Sequence, residues 1–281
     1  MTVQQALREC KQRLSEAQIN DPAFESRCLI EKVLGLDRTG FIAHSKDIVD
    51  EEKLNELLSL TERRARHEPL QYLLGSWSFC GLDFFVGDGV LIPRDDTEVV
   101  FNLCTEFLKN RQSKNTIDLC AGSGTISVAL SVLAKAEVTA VELSEKAFPY
   151  LIRNIEHNKA QIKAVRGDIL TCFEDFAPDT YDLIVSNPPY IKSAEIPDLQ
   201  PEVCYEPTMA LDGGEDGCDF YRAIIKLWSS RLKNGGALAF ELGEGQADYV
   251  CKLMSQSGFT DIKTAVDFGG TERAIIGIYS R

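Results

Sequence analysis

The sequence predicts an α/β protein, a mostly parallel sheet covered on both faces and preceded by a small helical domain. From Thr116 onward, strand-like and helix-like segments alternate, which is the signature of a parallel sheet flanked by helices. Up to about residue 75 the apolar residues recur only at helical spacing. One detail modifies the parallel sheet. Only Gly269-Gly270-Thr271-Glu272 separates the last two strands, so they must form an antiparallel hairpin at the end of the sheet.

Residues 1–75 read as a helical bundle. Asp21-Pro22 is a helix start, a capping side chain followed by proline at the first helical position. Phe24, Cys28, Leu29, Val33 and Leu34 then follow the helical period, and Leu54, Leu57, Leu58 and Thr61 mark a later helix. Residues 76–92 mix aromatic and branched residues with Gly81, Gly87 and Gly89, which predicts a hairpin connector. The sheet domain occupies 93–281. It opens with a helix over 97–109, with Val99, Val100, Leu103 and Phe107 on one face. Strands are expected at 116–120, 137–142, 162–167, 181–186, 236–242, 259–267 and 273–279. Helices are expected at 124–134, 145–158, 216–232 and 245–256.

Composition narrows the class. A hydrophobic content of 44% and a charged content of 26% suit a soluble globular protein. No apolar run approaches a membrane span, and the N-terminus lacks the pattern of a signal peptide. The nine cysteines have scattered spacing, with no Cys-x-x-Cys and only His44, His67 and His157 to join them. Reduced thiols in a cytoplasmic protein are expected, with no metal site. A net charge of −13 argues against a large nucleic-acid footprint.

The first chemical signal is Asp118-Leu119-Cys120-Ala121-Gly122-Ser123-Gly124, between a strand and a helix. Glycines here allow a tight turn and close approach of a ligand to the backbone. Glu142 ends the next strand, where a carboxylate can accept bonds from ribose hydroxyls. Asp168 ends the third, placed to meet an adenine amine. The loop lacks the third glycine of a dinucleotide fingerprint and the Gly-Lys-Ser/Thr of a P-loop. Alone it is also what a plain strand-to-helix turn looks like. With Glu142 and Asp168 the choice lies between a dinucleotide and S-adenosylmethionine.

Asn187-Pro188-Pro189-Tyr190 decides between them. It follows the buried run 181–186. The Asn side-chain oxygen accepts one hydrogen bond, and the Pro188 carbonyl accepts another from a backbone stiffened by paired prolines. Two fixed acceptors suit both protons of a planar NH2 group, and Tyr190 can pack against its flat face. The reaction indicated is methyl transfer to an amide or base amine.

These residues resemble class I S-adenosylmethionine-dependent methyltransferases, with their Rossmann-like seven-stranded sheet. The resemblance narrows to the peptide chain release factor glutamine methyltransferases (the PrmC/HemK family). The segments that carry it are Glu68–Gly75, Gly89–Arg94, Tyr205-Glu206-Pro207, Ala210–Gly217, Tyr221-Arg222, Phe240–Gly243 and Asp267–Gly270. The resemblance implies a helical domain that helps to recognise a release factor. It also implies methylation of the glutamine side-chain nitrogen in a Gly-Gly-Gln loop, with S-adenosyl-L-homocysteine as product. Cofactor contacts carried over are Cys120, Ala121, Gly122, Ser123, Gly124, Glu142, Asp168, Ile169 and Asn187. Asn187, Pro188, Pro189 and Tyr190 form the glutamine pocket, with Asn187, Pro188 and Tyr190 as the catalytic set. Arg94, Thr97 and Glu98 are expected to support the wall. This chain has Cys120 where the family usually has glycine, and Arg94-Asp95-Asp96-Thr97-Glu98 where the family has Arg-Pro-Glu-Thr-Glu. If the Cys120 backbone is ordinary the change is cheap; otherwise the turn is shifted.

The partner expected is a release factor, with no direct nucleic acid, no membrane and a monomeric enzyme. Competing readings are a ribosomal-protein glutamine methyltransferase, a nucleic-acid amino-group methyltransferase acting on a flipped base and a non-catalytic S-adenosylmethionine-binding module. Arg63, Arg64, Arg66 and His67 form a basic cluster at a helix end, read as a solvated face suited to the helix dipole.

Overall fold

The chain divides into two units in a computed structural model that describes residues 1–280. The first comprises Met1–Ser76 together with Gln200–Tyr205, and the second Trp77–Leu199 with Glu206–Arg281.

The first unit holds α1 (Val3–Glu16), α2 (Pro22–Leu34), α3 (Arg38–His44), α4 (Glu51–Ala65) and α5 (Leu70–Leu74). Their starts follow from local chemistry. Thr2 and Gln5 form a capping box, and Asp21, Asp37 and Asp50 each accept from backbone amides of the first turn. Leu14, Leu29, Ile30 and Leu57 meet in one core. The basic cluster is a solvated face only in part: Arg63 and Arg66 are exposed. Arg64 is buried, its guanidinium held by Glu25 and by Glu202 at 3.0 Å. Arg63 pairs with Glu68, Arg66 with Glu62 and His67 with Glu202. Each of these four basic residues has an acidic partner within its own unit.

The second unit opens with a hairpin, β1 (Ser76–Phe79) and β2 (Leu82–Phe85). Both turn residues, Cys80 and Gly81, have positive φ, the geometry that matches the twist of paired strands. Phe79 and Phe84 pack with Phe101 of α6 (Thr97–Leu108). From Trp77 on the hairpin thus belongs to the larger unit. The sheet contains β3 (Asn115–Leu119), β4 (Glu137–Glu142), β5 (Ile162–Arg166), β6 (Tyr181–Ser186), β7 (Leu232–Glu241), β8 (Phe259–Val266) and β9 (Glu272–Tyr279), in spatial order β5-β4-β3-β6-β7-β9-β8. Ladders from β5 to β7 are parallel, and β9 is antiparallel to both its neighbours.

Alternation along the strands divides the core. Ile117, Leu119, Ile184, Leu238 and Phe240 pack on one side with α9 (Asp219–Trp228) and α10 (Ala247–Gln256). Leu183, Val185, Ala237 and Ala239 pack on the other with α6 and α7 (Thr125–Leu133). The remaining helix, α8 (Ala147–His157), presents Leu151 to Ala121 and Ala140. Two elements of the sheet domain differ from expectation by more than two residues. β7 starts at Leu232, because Asn234-Gly235-Gly236 forms an irregularity in the ladder with β6 rather than a turn. The helix expected over 216–232 begins only at Asp219, because Gly214 and Gly217 hold positive φ in a tight loop before it. Among the described residues no helix is long and apolar enough to cross a membrane.

Candidate active site

The parallel strands β3, β4 and β6 end at a cavity of about 390 Å³, within the usual size range for small-molecule sites. Cys120, Ala121, Gly122, Ser123, Glu142, Asp168, Ile169, Asn187, Pro189 and Thr97 all line it. Its opposite wall comes from Gly89–Pro93 and from Pro207, Met209 and Ala210.

The loop after β3 reverses sharply. Cys120, Gly122 and Gly124 have φ of +64°, +57° and +86°. The Cys120 backbone is therefore left-handed, a conformation that costs a non-glycine residue about 1 kcal/mol. Gly124 does not line the cavity; a Cβ there would lie 2.6 Å from Leu151 Cδ1, so it permits the close seating of α8. The Cys120 thiol is pushed up by burial and by nearby Glu142, which makes it inert rather than nucleophilic.

Glu142 organises the loop. One carboxylate oxygen accepts from Gly122 N at 2.7 Å and the other from Ser144 N at 2.6 Å. Each oxygen keeps capacity for a second donor. Burial raises the Glu142 pKa against these bonds. Asp168 caps its own turn by accepting from Leu170 N, and Ile169 is fixed by its carbonyl, which accepts from Trp228 Nε1 at 2.9 Å. Asp118 lies on the cavity wall, buried. Its Oδ2 accepts from Ser127 Oγ, while Oδ1 has no partner among the described residues. Desolvation pushes this carboxyl up to about 7. An acidic wall of Asp118, Glu142 and Asp168 with one orphaned oxygen fits a ligand rich in hydroxyl, amine and cationic groups, as S-adenosylmethionine is.

Asn187–Tyr190 is held from several sides. Ser186 Oγ donates to the Leu119 carbonyl at 2.6 Å, joining the ends of β6 and β3. Gln246 Nε2 donates to the Tyr190 carbonyl at 2.9 Å. The chain beyond pairs Ile191 with Asp212 in parallel. Gly213 is required at that crossing, since a Cβ there would lie 2.7 Å from Tyr190 Cα and 2.8 Å from the Pro189 carbonyl. Among the described residues, no other protein group bonds the Asn187 side chain or the Pro188 carbonyl. Tyr190 borders a second depression with Lys192, Gln246 and Tyr249, and its hydroxyl meets Glu241 Oε1 at 3.3 Å.

This geometry has close relatives. The family profile described as PrmC N-terminal domain matches residues 5–75, and that described as methyltransferase small domain matches 96–208. The chain is 42% identical to the release factor glutamine methyltransferase of Geobacter sulfurreducens over 279 residues, covering 98% of this chain and 96% of that one. A protein of the same name from Fusobacterium nucleatum subsp. nucleatum is 37% identical, over 92% of this chain and 73% of its own. This chain belongs to the release factor glutamine methyltransferase family. A methyltransferase structure from Pyrococcus furiosus superposes with a TM-score of 0.54 at 19% identity, over 83% of this chain and all of that one. That likeness shows the class I methyltransferase fold and no more.

Within this family member the supporting residues divide. Arg94 pairs with the buried carboxylate of Glu206, which also accepts from Ile92 N at 3.0 Å. Thr97 lines the cavity, and its hydroxyl lies near enough to Glu241 to favour the ionised carboxyl. Glu98 does not line it; it accepts from Cys80 N and braces the hairpin turn. Sequence reasoning missed Glu206, Glu241, Gly213 and Gln246 as site supports. Glu206 and Glu241 lie inside segments that carry the family resemblance, but neither has a local pattern that announces chemistry. Among the described residues no group of three or more His, Cys, Asp or Glu side chains is placed to hold a metal.

Proposed function

We propose that this protein transfers a methyl group from S-adenosylmethionine to the side-chain amide nitrogen of the glutamine in the Gly-Gly-Gln loop of peptide chain release factors, in the cytoplasm and as a monomer. The observation that carries this reading is the placement of Asn187 and Pro189 on the same cavity as Gly122, Glu142 and Asp168. Family membership supplies the substrate class.

When bound, S-adenosylmethionine supplies an electrophilic methyl on a sulfonium. Glu142, Asp118, Asp168 and the loop from Cys120 to Ser123 would hold it, with Ile169 on the adenine side, while Gly124 lets that loop turn. The Asn187 side-chain oxygen and the Pro188 carbonyl accept hydrogen bonds from the two amide N–H groups; as the N–CH3 bond forms, the S–CH3 bond breaks with its electron pair to sulfur and one N–H proton is released to solvent. An amide nitrogen is a weak nucleophile because its lone pair is delocalised. Two fixed acceptors favour the charge that develops on the NH2 as it attacks. They also hold the nitrogen in one place, so that proximity lowers the barrier further. Tyr190 closes the loop, and the helical unit with its Gln200–Tyr205 segment helps to choose the protein substrate.

The test is label transfer from S-adenosylmethionine to an intact release factor, to its Gln-to-Ala loop variant, to ribosomal protein and to DNA. Label on the native release factor alone is expected. Label on DNA, or equal label on the Gln-to-Ala variant, refutes the reading.

A further inference from the structure

Glu241 ends β7 one residue beyond the pairing of Phe240 with Ser186, which places it level with Asn187 across the parallel ladder. Its side chain is 1% exposed. The Tyr190 hydroxyl, after β6, donates to Oε1 at 3.3 Å, and the Thr97 hydroxyl at the head of α6 lies near enough to favour the ionised form. Oε2 has no partner among the described residues. Thr97 lines the cavity and Tyr190 ends the loop that carries the amide acceptors. Packing does not explain this group, since an apolar side chain fills such a place without the cost of burying a carboxyl.

We propose that Glu241 is a positioning residue, which through the Thr97 and Tyr190 hydroxyls sets the spacing between α6 and the Asn187–Tyr190 loop. It thereby tunes the fit of the two acceptors to a glutamine amide. The proposal rests on the reading of function above. The groups that face the carboxyl are Asp96 just before α6, Thr97 at its head, Tyr190 from the loop and Arg273 from β9. Tyr221 from α9 donates to the Glu241 backbone carbonyl. Burial lifts the carboxyl to about 7, with Asp96 adding to the rise and Arg273 opposing it. The ionised form is the stronger acceptor for two hydroxyls, so positioning improves as pH rises through neutrality.

Glu241→Gln, Tyr190→Phe and the double variant are compared for kcat/KM on an intact release factor at pH 6 and pH 8, with S-adenosylmethionine affinity measured by calorimetry. Glu241→Gln is expected to lower kcat/KM at pH 8 by about tenfold and by less at pH 6, with cofactor affinity unchanged. The double variant should match Glu241→Gln within about twofold, because the two residues act as one unit. Additive losses, or a loss equal at both pH values, overturn the proposal. If Glu241→Gln does not fold, carbon-13 NMR of the glutamate carboxyls in Tyr190→Phe decides. Loss of a donor must raise the Glu241 pKa, and an unchanged value overturns the proposal. This readout needs no substrate. Failure of the native protein to label a release factor therefore counts against the proposed function, and an unmoved carboxyl against the positioning role.

Discussion

Ile92 and Glu206 are 114 positions apart, yet the Ile92 amide donates to a Glu206 carboxylate oxygen at 3.0 Å. The other carboxylate oxygen takes Arg94. One buried acid thus clips the stretch before α6 to the segment that returns to the cavity at Pro207. Glu206→Ala leaves a guanidinium and an amide without their partner. We expect a loss of about 2 kcal/mol, the scale for stranding a buried amide, in denaturant unfolding, since Arg94 is more than a third exposed and can turn to water. Glu206→Gln should recover part of it, because the amide oxygen still accepts from Ile92.

Gly122 and Gly124 separate binding from folding. A Cβ at Gly124 collides with Leu151, whereas Gly122 has nothing within 4 Å. Gly124→Ala should cost roughly 2 kcal/mol or more, from a clash added to the left-handed backbone. Gly122→Ala should cost only about 1 kcal/mol. Since Gly122 lines the cavity, its substitution should weaken cofactor binding more than it lowers the melting temperature. Calorimetric titration and thermal unfolding of both variants check this.

Asp118 gives the ligand-free protein a pH signature. Burial raises its carboxyl from 3.8 to about 7. A raised acid favours the fold fully below its unfolded pKa and loses that contribution as pH climbs through the folded pKa. Stability should therefore fall between about pH 4 and pH 7, by up to roughly 4 kcal/mol from this group. Glu241, raised from 4.5 to about 7, adds a fall of the same sign. Asp182 and Glu202 are lowered by their partners, so their contributions are lost at acid pH, below this window. Asp118→Asn should flatten part of the slope of unfolding free energy against pH. An unchanged slope refutes the assignment.

Arg64 is the corresponding buried charge of the helical unit. Arg64→Ala strands Glu25 and Glu202, and a destabilisation of about 3–5 kcal/mol is expected. Arg64→Met with Glu25→Leu should cost less than Arg64→Ala alone, since it removes one buried charge with its partner. Chemical denaturation of the three proteins compares them.

Asn187→Ala should reduce methyl transfer by about 10²-fold or more while S-adenosylmethionine affinity changes little. Comparable losses in both would mean that Asn187 chiefly holds the cofactor.

Strand and helix placement was legible wherever the apolar period was unbroken. β4 and β6 fall on the expected residues, because each is a run of branched side chains bounded by polar ones. The reading failed where glycine had two meanings. Gly235 looked like the end of a loop before a strand opening at Gly236, but both lie within β7. Gly217 looked helical, yet a Cβ there would stand 2.4 Å from the Tyr190 carbonyl, so it belongs to a crossing of two loops. In the site, the cavity-facing residues at strand ends were readable from order along the sheet. Glu206 and Glu241 were not, because what makes them matter is a partner distant in sequence. The left-handed turn at Cys120 was equally hidden, since only glycine advertises positive φ.

The helical unit is discontinuous in sequence. Arg64 finds one of its two acids in Glu202, inside the six-residue excursion Gln200–Tyr205. A gene border drawn at residue 76 therefore does not coincide with a structural one. Pieces exchanged there between relatives would inherit the cation from one parent and its counter-ion from the other, so workable chimeras must carry both stretches together.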